Sequence, residues 1–473
     1  MDSHKAYSRF RATAWVLGLG TLFCVGVVTA MTVSIVHRLE AHAFERIARF
    51  PPFTLICAVL VGLTLVLLLL KYPEVALALF FLVGLIKGDP NLPSTPVDLT
   101  VFVAAIIVAA TLIRLISRRQ ELVLPKEYLF YVPLVALMIL SLAYTPNLSA
   151  GLDKTLRFVC LTSIGIVTPF VLFDSVKKIN RFMIAMVIGG LGLGANSLTM
   201  LGGGDRLVSP SGLNTELGLA CAVAMVIIWT LLFPEWPFFK RLLVYPVIAV
   251  LAVALVGSGA RTANVAAVVC LILGTFLCRK LWSDLLVMVL LGALALPFVW
   301  IPQASYDYLA SLAHPPQAMD TRKDLMALGV KLFGEHPFLG VGIQGFRFHS
   351  PNPLTYNFPH NIVLELGSEL GMCAALAFIG FVVFSFLQIF REIGHRSGTS
   401  RNVAATILML MILLALEAMV SGDINDLRLM WFVLGLPFVL RLLPAYESDV
   451  LELSTFEVSR EEAALEPDFV IYR

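Results

Sequence analysis

The feature that most limits this chain is a recurring apolar run about the length of a bilayer crossing. Phe53–Leu70 contains no charged residue. As a helix, about 18 such residues reach roughly 27 Å, close to the hydrocarbon thickness of a membrane. Comparable segments lie near 12–36, 73–86, 98–113, 128–143, 157–174, 180–200, 216–233, 240–257, 262–277, 282–301, 371–390, 403–420 and 428–443. In lipid, backbone groups must be satisfied within the segment, so runs of this length are helices. Charged residues make up only 14% of the 473, against about 25% in a soluble domain. The expected fold class is all-α: a polytopic helical membrane protein with about 12–14 transmembrane helices. The segment at 73–86 is short and reads as half of a broken or re-entrant element.

Several classes drop out. The net charge of +2 gives no reason to expect a nucleic-acid partner. The seven cysteines lie in or beside apolar segments with no CxxC pair, so neither a disulfide framework nor a zinc site is indicated. Ala12–Val36 lacks a clear cleavage site and reads as an uncleaved first span. The stretch 444–473 is acidic and reads as a solvated cytoplasmic tail.

One polar excursion stands out among short connections. The spans fall into an N-terminal set over 1–301 and a C-terminal set over 371–443, with a large loop at 302–370 between them. Loops of that length in compact folds are commonly functional. Lys and Arg gather on one side, for example Arg114, Arg118, Lys177, Lys178, Lys240, Arg241, Arg391, Arg396 and Arg401. Basic loops stay in the cytoplasm, which puts the large loop outside. Within it, Asp320–Phe333 is amphipathic, with Leu325, Leu328 and Leu332 on one face.

The same outer side carries the polar residues able to do chemistry. Arg206 follows a run of three glycines. Arg261 stands between two apolar spans, where a cation normally faces a cavity or a partner. A guanidinium offers phosphate oxygens a planar fork, so both arginines are candidate anion clamps. Gly340, Gly342 and Gly345 spell GxGxxG, but no βαβ unit surrounds them. They are expected to let backbone turn tightly or approach another segment. His314, His336, His349 and His360 lack metal-ligand spacing, so no metal and no cofactor are expected. His360 sits where an apolar helical pattern begins. The positive end of a helix dipole disfavours imidazolium, which suits a general base. Glu365 and Glu369, four apart on one helix face, could contact substrate or pair with an arginine. With Asn361 and His336 they form a supporting set.

GEHPFLGVGIQGF followed by PHNIVLELGSELGMCAAL resembles the O-antigen ligase and polymerase superfamily. Ligases of that group carry a histidine followed by Asn, Ser or Gln, nine residues, Gly, three residues, and Gly, Thr or Val. His360-Asn361, Gly371 and Ala375 follow this pattern except at the last position. An Arg-x-x-x-Leu ligase pattern is not met, since Pro210 follows Arg206 and Val265 follows Arg261 at that spacing. The resemblance covers about 200–440. It implies a GT-C-like, metal-independent, inverting glycosyltransferase of the bacterial inner membrane with a periplasmic active site. The implied partners are an undecaprenyl-pyrophosphate-linked glycan donor, a lipid A-core acceptor and membrane lipids. His360 would be the base, and Arg206 and Arg261 would bind the pyrophosphate. An O-antigen polymerase and a protein O-oligosaccharyltransferase remain alternatives in the same superfamily. A lipid or sugar transporter is the rival from a different class.

Overall fold

The computed structural model describes residues 52–87, 98–118, 125–199, 206–295, 317–352, 357–420 and 423–444. The expected first span and the acidic tail lie outside these residues. Among the described residues the regular structure is helical and no strand occurs.

The helices, in order, are α1 (Pro52–Lys71), α2 (Pro73–Leu82), α3 (Leu99–Arg118), α4 (Tyr131–Ser141), α5 (Leu148–Leu172), α6 (Val176–Leu198), α7 (Asn214–Leu232), α8 (Tyr245–Ser258), α9 (Arg261–Leu277), α10 (Trp282–Ala295), α11 (Gln317–Glu335), α12 (Ile362–Leu370), α13 (Met372–His395), α14 (Gly398–Ala418) and α15 (Arg428–Leu442). Helix α6 packs on α2, α7 and α8, while α14 packs on α9, α13 and α15. Small residues allow the closest approaches. A methyl group on Gly190 of α6 would stand 2.8 Å from the Ala224 Cβ of α7.

Seven described helices are long and apolar enough to cross a membrane, or eight if one bent pair is counted as a span. That pair, Leu60–Lys71 and Pro73–Leu85, bends by 110°. It is the broken element suggested by the short apolar stretch at 73–86, and the Pro73 ring ends the first half. The sequence pattern anticipates 12–14 crossings over the whole chain, including the first span outside the described residues. Several apolar runs fold as helices under 18 residues, including α4, α9, α10 and α15. Helix α15 buries Trp431, Phe432 and Phe438 almost completely, so much of its apolar sequence faces protein.

Charged groups gather at both ends of the bundle. One end holds well-paired groups: Arg441 with Glu127 at 2.8 Å, Arg241 with Asp284 at 2.6 Å, and Arg396 with Glu392 at 2.8 Å. The other end carries Arg206, Arg261 and helix α11 with its glycine-rich turn. Helix α11 is the amphipathic helix expected within the large loop. Its Leu325 and Leu332 form a small separate core with Val341 and Phe346, flanked by Leu328.

Candidate active site at the start of helix α12

Helix α12 is only nine residues long, so its ends decide where it sits. At the start, the Asn361 side-chain oxygen accepts hydrogen bonds from the Val363 and Leu364 amides, both at 3.0 Å. Such a cap contributes about 1 kcal/mol. The Asn361 amide also donates to the Met419 carbonyl at 3.3 Å, tying the cap to the end of α14. At the other end Gly371, at φ +84°, turns the chain sharply into α13.

The glycine-rich turn is bolted to this helix. The Val341 and Gly342 amides donate to the Ser368 and Glu369 carbonyls at 2.8 and 2.9 Å, and Met372 donates to Pro337 at 2.7 Å. Gly340 and Gly342 have φ values of +64° and +88°. A side chain on Gly342 would stand 2.7 Å from the Thr145 Cα, and one on Gly340 would strike the Glu369 backbone. These glycines serve close backbone approach, as their spacing without a βαβ unit suggests. Across the turn, the Thr145 hydroxyl donates to Ile343 at 2.6 Å, linking it to the loop between α4 and α5.

His360 immediately precedes the cap and has φ +55°, in the left-handed region. Its ring meets Phe358 edge to face at 4.6 Å. Its Nδ1 is buried and has no hydrogen-bond partner among the described residues. Burial, followed by the positive charge of Arg322 on α11, lowers the imidazole pKa to about 4. The ring is therefore neutral near pH 7, with a lone pair available.

Arg261 opens α9, just after a left-handed turn at Gly259. Arg206 adjoins Leu207, whose amide donates to Gly257 at 3.0 Å, so the 206–213 stretch lies against the corner between α8 and α9. The Asn214 side chain reinforces that corner by donating to the Ser258 carbonyl at 3.0 Å. Helices α9 and α14 run antiparallel. The Cys270 thiol donates to the Met409 carbonyl at 3.3 Å, and Cys278 feels the charge of Arg401. Eight steps along α9 thus match eight steps back along α14. Nine steps the other way bring Arg261 level with Ala418, beside the Met419 carbonyl that holds Asn361. The fold therefore puts Arg261, the Arg206 stretch and His360 at one end of the bundle.

The supporting set separates. Asn361 is the cap described above. Glu365 and Glu369 are almost fully buried and converge on Lys154 of α5, at 2.6 and 2.8 Å. Their partner is a lysine, not an arginine. Glu365 also accepts the Ile424 amide at 3.2 Å. Asn425 donates to the Lys154 carbonyl at 3.1 Å. Burial pushes both carboxyl pKa values up, while Lys154 opposes the shift. His336 does not join His360. It is exposed beyond the end of α11, and its carbonyl accepts the Gly340 amide at 3.0 Å to shape a turn. Among the described residues no three His, Cys, Asp or Glu side chains gather as a metal site.

Two residues in this region escape a reading of local pattern, Lys154 and Arg322. Lys154 lies 215 positions from Glu369, with no local signal of the pairing beyond a cation beside an apolar run. Arg322 is one of several charges on an amphipathic helix, and only its spacing to Gly329 places it on the packed face.

Residues 246–379 match a family model described as O-antigen ligase. The match contains Arg261, the described part of the loop and His360, while Arg206 precedes it. A search among curated proteins returned no match. From α8 through the loop and α12 into α13, this polytopic chain is similar to the O-antigen ligase family.

Proposed function

We propose that the protein is an O-antigen ligase. In this reading it transfers a finished glycan from undecaprenyl pyrophosphate to a sugar of the lipid A core, at the periplasmic face of the inner membrane. The observation that carries the reading is His360: a neutral imidazole with an orphaned buried nitrogen, at the same end as Arg261 and inside the family match.

The donor already holds a good leaving group, so the protein must orient two lipid-linked reactants and manage charge. His360 takes the proton from the acceptor hydroxyl as its oxygen forms the new bond to the anomeric carbon. The bond from that carbon to the phosphate oxygen breaks with inversion, and the diphosphate leaves with the electron pair. Arg261 and Arg206 hold the diphosphate and offset its growing negative charge. Guanidinium forks suit that task without a divalent ion.

The test is a lipopolysaccharide ladder from cells that carry only a His360→Ala form, with membrane insertion checked in parallel. Full-length lipid A core without any attached glycan supports the ligase. Single repeat units on the core would point to the polymerase instead. A wild-type ladder would remove His360 from the reaction.

A further inference from the structure

The loop helix brings a third guanidinium to the site. Arg322, Leu325, Gly329 and Leu332 follow one another at i, i+3, i+7 and i+10 along α11, which places them on one stripe. That stripe faces α12. Leu325 and Leu332 are buried in the small loop core. A methyl group on Gly329 would stand 3.2 Å from the Pro359 Cβ and 3.4 Å from the Leu364 Cβ. Pro359 is the neighbour of His360, and Arg322 lies two turns before Gly329, roughly 10 Å along the axis.

The other charged groups around His360 have different roles. Glu365 on α12 is engaged by Lys154. Asp423, beyond the end of α14, accepts the Asn425 and Asp426 amides. Glu417 is nearly buried in the last turn of α14. Arg261 opens α9 at the level of that turn. Among the described residues no carboxylate pairs with Arg322. A guanidinium on the stripe that packs against Pro359, close enough for its charge to act on the His360 ring and with no carboxylate to offset it, leaves a positive field that an anion would neutralise.

We propose that Arg322 is a substrate-binding cation of the His360 site, taking a phosphoryl oxygen of the diphosphate donor. The inference rests on the ligase reading and deepens it. Binding then has a chemical consequence. With the site empty, burial and then the Arg322 charge disfavour imidazolium and leave His360 a weak base. A diphosphate beside Arg322 cancels that charge, so the imidazole gains proton affinity only when there is a donor to use it. Water in an empty site meets a poor base, whereas an acceptor hydroxyl in a loaded site meets a better one. The loop helix thereby couples donor binding to base strength.

The experiment uses full-length protein in lipid nanodiscs, with inorganic pyrophosphate as the probe. The His360 ring is followed by NMR of labelled imidazole and assigned with a His360→Gln form. Pyrophosphate is expected to raise the His360 titration midpoint in the wild type. In Arg322→Gln the midpoint should start higher and pyrophosphate should bind about tenfold more weakly, the loss typical of one charge-assisted contact. Arg322→Lys, which keeps the charge without the fork, should retain the low midpoint and lose less affinity. An Arg322→Gln protein with wild-type midpoint and pyrophosphate affinity overturns the inference. If Arg261→Ala weakens pyrophosphate while Arg322→Gln does not, only the role of Arg322 fails. If neither weakens it, the diphosphate reading of the whole site fails.

Discussion

The two halves of helix α12 make opposite use of polar groups. At its start, the His360 ring keeps a buried nitrogen without a partner, under the charge of Arg322. One and two turns further on, Glu365 and Glu369 are both ion-paired to Lys154, and Glu365 also accepts the Ile424 amide, although Glu369 Oε1 is buried without a hydrogen-bond partner among the described residues. Buried polar groups are normally hydrogen-bonded, so an imidazole nitrogen with neither a hydrogen bond nor an ion pair is the exception that calls for a reason. A buried ion pair is a costly way to gain stability but an exact way to fix position, because removing either partner strands a charge. Under the proposed function, the contrast separates a working end from an anchoring end of one short helix.

The comparison can be broken by experiment. The largest effect is expected at the working end. His360→Gln should lower turnover by about 10²–10⁴-fold, the usual worth of a general base, with little change in thermal melting. A matching fall in melting temperature would make His360 structural and erase the contrast. At the anchoring end, Lys154→Met should cost roughly 3–5 kcal/mol of stability, read from denaturation in detergent. Folded protein with an unchanged midpoint would mean that the triad anchors nothing. Arg261→Ala should cost about 10²–10³ in turnover, and Arg261→Lys should recover only part of it, because a point charge lacks the fork. Equal turnover in the lysine form would replace the bidentate clamp with simple charge attraction.

The smallest effect is in pH dependence. The imidazole must be neutral to accept a proton, and its pKa lies at about 4, below the usual value near 6.5. The kcat/KM of the free enzyme should therefore stay flat as pH falls from 8 to about 5 and drop only below that. An acid limb near pH 6.5 would place His360 in an open, solvated setting, and its difference from the buried Glu pair would shrink.

Much of this arrangement is legible in the sequence, and the limits are physical. Hydropathy reports membrane-length helices because the lipid rule is local, and the amphipathic face of α11 follows from its own spacing. It does not separate lipid-facing from protein-facing helices, because α15, packed against protein, has the same apolar composition as a lipid-facing span. His360 and Asn361 are visible because a cap and the residue before it are near neighbours. Lys154 is not, since its partners lie more than 200 positions away and meet it only through packing. The level of Arg261 against His360 also depends on the register between α9 and α14, which no single segment encodes.

The bond between the glycine turn and the last residues of α12 bears on how reactants arrive. Three backbone hydrogen bonds and two glycines with no room for a methyl group make that part of the outer loop one body with the helix beneath it. A turn fastened in this way moves with the helix and not as a separate lid. Under the proposed ligase function, reactants whose greasy tails lie in the bilayer would then enter sideways between helices, with only their sugar and phosphate portions reaching the fixed turn.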